Sequence, residues 1–207
     1  MADVATDGAA PKAGLVSVHR RLSPAQIATR GRLLDAAVEL ATSHGYDELS
    51  TRAVAVRAEV AIATFYRYFT SKDHVLAQAM VDLNDRIVAE ISARPPRRGN
   101  AIRRTEAVFE AYAEAVDGRP LLTDAFWRAA VSNEPAVVVL LTGEPSMPAR
   151  LFDIALGEVE FEDRDDVAAI FVDVSMAALA APGVTDRTRS LVDRVERAAR
   201  LLLKGVD

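Results

Sequence analysis

The chain has 207 residues, 50% of them hydrophobic and 27% charged, with a formal net charge of -5. This is an ordinary globular composition with enough apolar residues for a substantial core, which excludes a disordered or fibrous chain. No apolar run approaches the roughly 18 residues of a membrane span, and the absence of cysteine removes disulfides and thiolate metal sites, which fits a cytoplasmic protein without a membrane partner.

Taken in order, residues 1–19 lack the basic start and long apolar stretch of an export leader and read as a flexible tail. Ser23-Pro24-Ala25-Gln26 is a capping box with Pro at the first helical position. Ile27, Leu34, Val38 and Ala41 then recur at helical spacing, and Gly45 is a natural stop. Ser50 caps a short helix over Thr51–Arg57, and a second fits Ala61–Tyr68. Ser71 and Asp73 open a long connecting helix that ends near Ser92, because Arg94-Pro95-Pro96-Arg97-Arg98-Gly99 cannot continue it.

Beyond that break, Asn100 caps a helix carrying Ile102, Val108, Phe109, Tyr112 and Val116, and Pro120 precedes another through Phe126 and Trp127. Pro135 opens an apolar segment whose Val137–Leu141 stretch, taken alone, also passes for a strand; residues 143–148 interrupt it. Two long helices close the chain, over about Asp163–Ala181 and Thr185–Lys204, with Pro182-Gly183 between them. The fold class is therefore all-α. The expected organisation is a tail over 1–19, a helical head over 20–71, a connecting helix over 72–93 and a body over 94–207.

Charge is unevenly placed. From Arg20 to Lys72 there are eight Lys or Arg against five Asp or Glu, so a locally basic segment sits on an acidic chain. That distribution suits a protein that meets phosphate with one end only. The same segment holds two short helices after a longer one, the pattern of a helix-turn-helix. Val54, Ala55, Ala58 and Val60 are small enough to let the short helices cross closely, while Phe65 and Phe69 face the core. Ile62, Ala63, Thr64, Arg67 and Tyr68 are left outward, where a major groove would lie. Tyr66, Tyr68 and Lys72 set hydroxyls and an ammonium beside the helix start at Ser71, an arrangement that clamps phosphate.

This segment resembles the TetR family of bacterial regulators. The resemblance runs through Gly45-Tyr46, Leu49-Ser50-Thr51-Arg52, Thr64-Phe65-Tyr66-Arg67-Tyr68-Phe69-Thr70-Ser71-Lys72 and Val75-Leu76, over about residues 25–80. It implies a homodimeric repressor that binds a palindromic double-stranded operator and is released by a small effector. It also implies that Thr51 touches the DNA backbone, that Arg52 reads a base, and that Ile62, Ala63 and Thr64 lie against base edges. Tyr66, Tyr68 and Lys72 would hold phosphates, and Arg20 and Arg21 would reach a minor groove. Two residues depart from the family pattern: Glu59 stands where Gly is usual, and Ala61 where Ser is common. Arg52-Ala53-Val54-Ala55, Phe65–Phe69 and Arg119–Ala125 look most like the steroid- and acyl-CoA-responsive repressors of actinobacteria.

In the body, Phe109, Tyr112, Phe126, Trp127, Met147, Phe152, Phe171 and Met176 are candidates to line an effector pocket, which that composition makes largely hydrophobic. The Val167–Leu179 segment is apolar nearly all round and needs cover on most sides. Val167, Phe171, Val174 and Ala178, with Leu191, Val192, Val195, Ala199 and Leu202, are accordingly expected at a dimer interface. No cofactor or metal is expected. The histidines His19, His44 and His74 are scattered, and Glu160–Asp166 reads as an acidic helix start, not a calcium loop. No nucleophile elbow, phosphate-cradling loop or dinucleotide fingerprint is present, so an enzyme is not expected. Two other readings stay open: a DNA-binding module without a small-molecule input, and a purely structural helical dimer.

Overall fold

The computed structural model describes residues 22–142, 145–180 and 186–206, and every regular element among them is a helix. The tail, Arg20 and Arg21, and the Pro182-Gly183 break lie outside the described residues. Helix α1 spans Pro24–Glu48 and starts on the capping box: Ser23 Oγ accepts from Gln26 N–H at 3.3 Å, and the Gln26 side chain accepts from Ser23 N–H at 2.8 Å. Gly45 kinks α1 and does not end it. Its φ of 76° is open to Gly without strain, and one more turn follows before Leu49 leaves the helix.

Helix α2 (Thr51–Arg57) is capped by Ser50, and α3 (Ile62–Tyr68) begins at Ala61 with no side-chain cap. Between them Glu59 adopts φ 55°, the left-handed conformation that the family pattern reserves for Gly. Holding an L-residue there costs about 1–2 kcal/mol, part of which Gly returns as chain entropy. Glu59→Gly is expected to raise stability by up to about 1 kcal/mol in urea denaturation. An unchanged or lower midpoint would mean that the Glu59 side chain stabilises the turn.

Helix α4 (Lys72–Ala93) is capped by Ser71, whose Oγ accepts from His74 N–H at 3.1 Å, and it runs unbroken to the proline pair. Then come α5 (Ala101–Val116), α6 (Pro120–Ala130), α7 (Pro135–Leu141), α8 (Met147–Leu156), α9 (Arg164–Ala180) and α10 (Arg187–Leu202). The strand-like Val137–Leu141 stretch is helical, within α7.

Two apolar clusters hold the chain together. In the first, Leu33, Ala37, Val54, Phe65, Phe69 and Leu76 pack with Leu122, Ala125, Phe126 and Ala129 of α6. A body helix thus completes the core of the helix-turn-helix head. Burying side chains the size of Leu122 and Phe126 stabilises by roughly 1.5–3 kcal/mol each, which holds α6 against the head. The second cluster joins the lower half of α4, through Ile87 and Val88, to α5, α8, α9 and α10. Helix α4 therefore belongs to both.

Candidate functional site

The two short helices bring the expected reading groups onto one surface. Ile62 is 42% and Tyr66 56% exposed, Arg52, Ala63 and Arg67 are exposed, and Thr51 and Thr64 are half-buried. The Thr51 hydroxyl lies 3.2 Å from the Tyr66 hydroxyl, tying the start of α2 to α3. Arg52 has no ion-pair partner among the described residues, which leaves its guanidinium available. Tyr68 is a correction. Its hydroxyl is buried and without a hydrogen-bond partner among the described residues, because the ring packs against the head core, so it is not a surface phosphate donor.

Lys72 is positioned by the kink in α1. Its Nζ donates to the Tyr46 carbonyl at 3.1 Å and sits 3.8 Å from the centre of the Tyr46 ring. The other edge of this small network comes from α6. Arg128 makes two 2.8 Å hydrogen bonds to the Asp47 carboxylate, holding that acid below its usual pKa, and lies 4.2 Å from the Tyr46 ring centre. Tyr46 donates to Asp73 Oδ1 at 2.7 Å, and burial together with that carboxylate pushes its phenol up to about 12. A second tie follows α6: the hydroxyls of Thr70 and Ser71 donate to the two carboxylate oxygens of Glu134. The end of α1 and the start of α4 are thus both held by the segment that follows Trp127.

Across the body, a pocket with room for about 70 Å³ opens between α4, α5, α6 and α10. Of the residues expected to line it, Tyr112, Phe126 and Trp127 do. Phe109, Phe152 and Phe171 do not: they are fully buried and stacked on one another, with ring centres 4.9 Å apart for Phe152–Phe171 and 6.4 Å for Phe109–Phe171. Met147 packs against the same core, and Met176 is 43% exposed on the outer side of α9. The walls missed by sequence reasoning include Met80, Leu83 and Asn84 of α4, at the i, i+3, i+4 spacing of one helix face, where a lone Asn among apolar residues was the available signal. At the rim, Arg187 donates to the Leu179 carbonyl at 2.5 Å and lies 3.9 Å from Asp124. The pocket shares Val116, Arg119, Thr123, Arg187 and Thr188 with an outer groove of about 790 Å³.

With this geometry, similarity to known proteins becomes informative. The profile for bacterial regulatory proteins of the tetR family matches residues 33–79. Over 184 residues the chain is 35% identical to the HTH-type transcriptional repressor KstR of Rhodococcus jostii (strain RHA1), covering 87% of this chain and 85% of that one. The chain belongs to the TetR family. The fold agrees: a TetR transcriptional regulator from Rhodococcus sp. RHA1 superposes with a TM-score of 0.70 at 25% identity, over 88% of this chain and 100% of that one. Thermus thermophilus FadR, a TetR-family repressor solved in complex with lauroyl-CoA, superposes with a TM-score of 0.62 at 20% identity, over 86% and 95% of the two chains.

This TetR-family chain is thus a helix-turn-helix transcriptional repressor of the KstR type. Among its described residues no helix is long and apolar enough to cross a membrane, and no group of three or more acidic or histidine side chains is placed to hold a metal. The residues expected at its dimer interface fall on two sides of the terminal helices. Val167, Phe171, Ala178, Leu191, Val195 and Ala199 are buried by the chain's own helices, Leu191 forming pocket wall, and a partner cannot reach them. Val174, Val192 and Leu202 are half-buried. The open side of the TetR-family body carries Ile170, 41% exposed, and Leu201, 80% exposed, along a groove that also includes Val174, Ala177, Ala198 and Leu202.

Proposed function

We propose that this repressor acts as a homodimer on a palindromic operator and that a small, largely hydrophobic effector entering the α4–α5–α6–α10 pocket releases it. The observation that carries the proposal is that one helix, α6, both walls the pocket and holds the head. Leu122, Thr123, Phe126 and Trp127 line the cavity, while Arg128 of the same helix grips Asp47 and Tyr46. Ligand pockets commonly measure about 300–1,000 Å³, so an effector of ordinary size must part these helices to enter. Parting them moves α6 and α4, and with them the spacing of two reading heads.

On the DNA side, Thr51 would touch the backbone, Arg52 would read a base, Ile62, Ala63 and Thr64 would lie on base edges, Arg67 would stand beside them, and Tyr66 and Lys72 would bind phosphates. Arg20 and Arg21 are assigned to the adjoining minor groove. Lowering operator affinity a hundredfold requires about 2.7 kcal/mol of preference for the released conformation, which burial of an apolar molecule can supply. The lauroyl-CoA complex of FadR, together with the resemblance of Arg52–Ala55, Phe65–Phe69 and Arg119–Ala125 to steroid- and acyl-CoA-responsive repressors, supports testing acyl-CoA and steroid-like compounds first.

Titrating lauroyl-CoA and a steroid into the protein–operator complex is expected to release DNA with one of them. Trp127→Ala is expected to weaken that release about tenfold or more, since truncating a half-buried Trp of the pocket wall removes a large apolar contact. Release unchanged in Trp127→Ala would place the effector elsewhere. A stable complex that no hydrophobic compound dissociates would favour a regulator without a small-molecule input.

A further inference from the structure

Arg119, Thr123, Arg187 and Thr188 lie where the pocket meets the outer groove; inward of them the wall is apolar except for Asn84, Tyr112 and the Trp127 indole N–H. Tyr112 of α5 donates its hydroxyl to Asn84 Oδ1 of α4 at 2.9 Å, beside Met80 and Leu83. Burial raises the pKa of this phenol well above its ordinary value, so it is a neutral donor throughout the working pH range. The bond satisfies the Tyr112 hydroxyl hydrogen and an Asn84 lone pair. The Asn84 amide N–H groups have no acceptor among the described residues. Asn84 and Tyr112 line only this inner cavity, whereas Arg119 and Arg187 also line the outer groove.

We infer that Asn84, oriented by Tyr112, is a specificity-determining donor for one oxygen atom on the inserted end of the effector, which therefore bears a ketone, ester or hydroxyl oxygen there. The inference rests on the effector pocket proposed above. A plain hydrocarbon filling the cavity strips water from the amide and leaves its donor unpaired, which is costly in an apolar site. A neutral oxygen acceptor removes that cost. A carboxylate does not suit the position, because the cations lie toward the shared mouth and a buried unpaired charge costs far more than a neutral dipole. The mouth, with Arg119 and Arg187, is where a charged portion of an amphipathic effector would sit. Because Asn84 is on α4, twelve positions after Lys72, the oxygen engages the same helix that begins in the reading head.

The test uses the full chain and two pairs of compounds matched in shape, fluorenone with fluorene and 2-undecanone with undecane, with affinities taken from thermal-shift titrations. Wild-type protein is expected to bind at least one ketone about tenfold more tightly than its hydrocarbon, the size of one hydrogen bond made in an apolar site. Asn84→Leu is expected to remove the preference while retaining hydrocarbon binding, and Tyr112→Phe to reduce it by freeing the amide to rotate. Tyr112→Phe also serves if Asn84→Leu does not fold. Equal affinity for ketone and hydrocarbon in the wild type overturns the inference and leaves the pocket standing. A preference that survives Asn84→Leu assigns the donor to another residue and overturns it too. Failure of all four compounds to bind overturns the pocket itself.

Discussion

Placing a single arginine at Ile170 or Leu201 is expected to convert the repressor to monomers and to lower operator affinity by about two to four orders of magnitude, the advantage normally gained by linking two binding modules. Both residues stand on the open side of the terminal helices, and neither is needed for the chain's own core. A charge there is solvated in the monomer but would be buried against the partner, where an unpaired guanidinium is strongly unfavourable. Ala178→Arg is a poorer probe, because Ala178 is fully buried within the chain and an arginine there would disrupt the fold itself. Val139 of α7, 76% exposed and away from the groove, provides the control: Val139→Arg should remain dimeric. Light scattering showing dimers for Ile170→Arg and Leu201→Arg at micromolar concentration would move the interface elsewhere.

The second large effect separates positioning from reading within the head. Lys72→Ala is expected to weaken operator and random duplex alike, and to reduce the salt dependence of binding by about one unit of slope, the value for one neutralised phosphate. Arg52→Ala is expected to cost about 1–3 kcal/mol chiefly on the operator, relaxing choice at one base position. The structure sharpens the contrast. The Lys72 ammonium is held on the Tyr46 carbonyl and ring, whereas Arg52 is exposed without an ion-pair partner among the described residues. Affinities for operator and random duplex at two salt concentrations decide the matter. An Arg52→Ala variant that loses both equally assigns Arg52 to phosphate.

The head was legible in the sequence because its determinants are local. Ser23, Ser50 and Ser71 each cap a helix, and Glu59 takes the left-handed conformation that its place in the turn requires. The body was legible as helices but not as surfaces. Phe109 and Phe126 are both apolar aromatics at helical spacing, yet one is sealed in the α5–α8–α9 core and the other walls the cavity. Residue type cannot separate them, because both environments reward the same burial. The same ambiguity covers α9, which is apolar nearly all round from Val167 to Leu179: Phe171 and Ala178 meet the chain's own helices, while Ile170 and Met176 face outward. The tie between α6 and the head was also out of reach, since Arg128–Asp47 and Glu134–Ser71 join residues 81 and 63 positions apart.

Two such heads, related by a two-fold axis, are expected to read one operator. Genomic fragments that the purified protein retains, selected and then footprinted, show whether they do. An inverted repeat with half-site centres about 34–36 Å apart, or a multiple of that distance, is expected. A direct repeat, an isolated half-site, or failure to retain any fragment at low salt would contradict it.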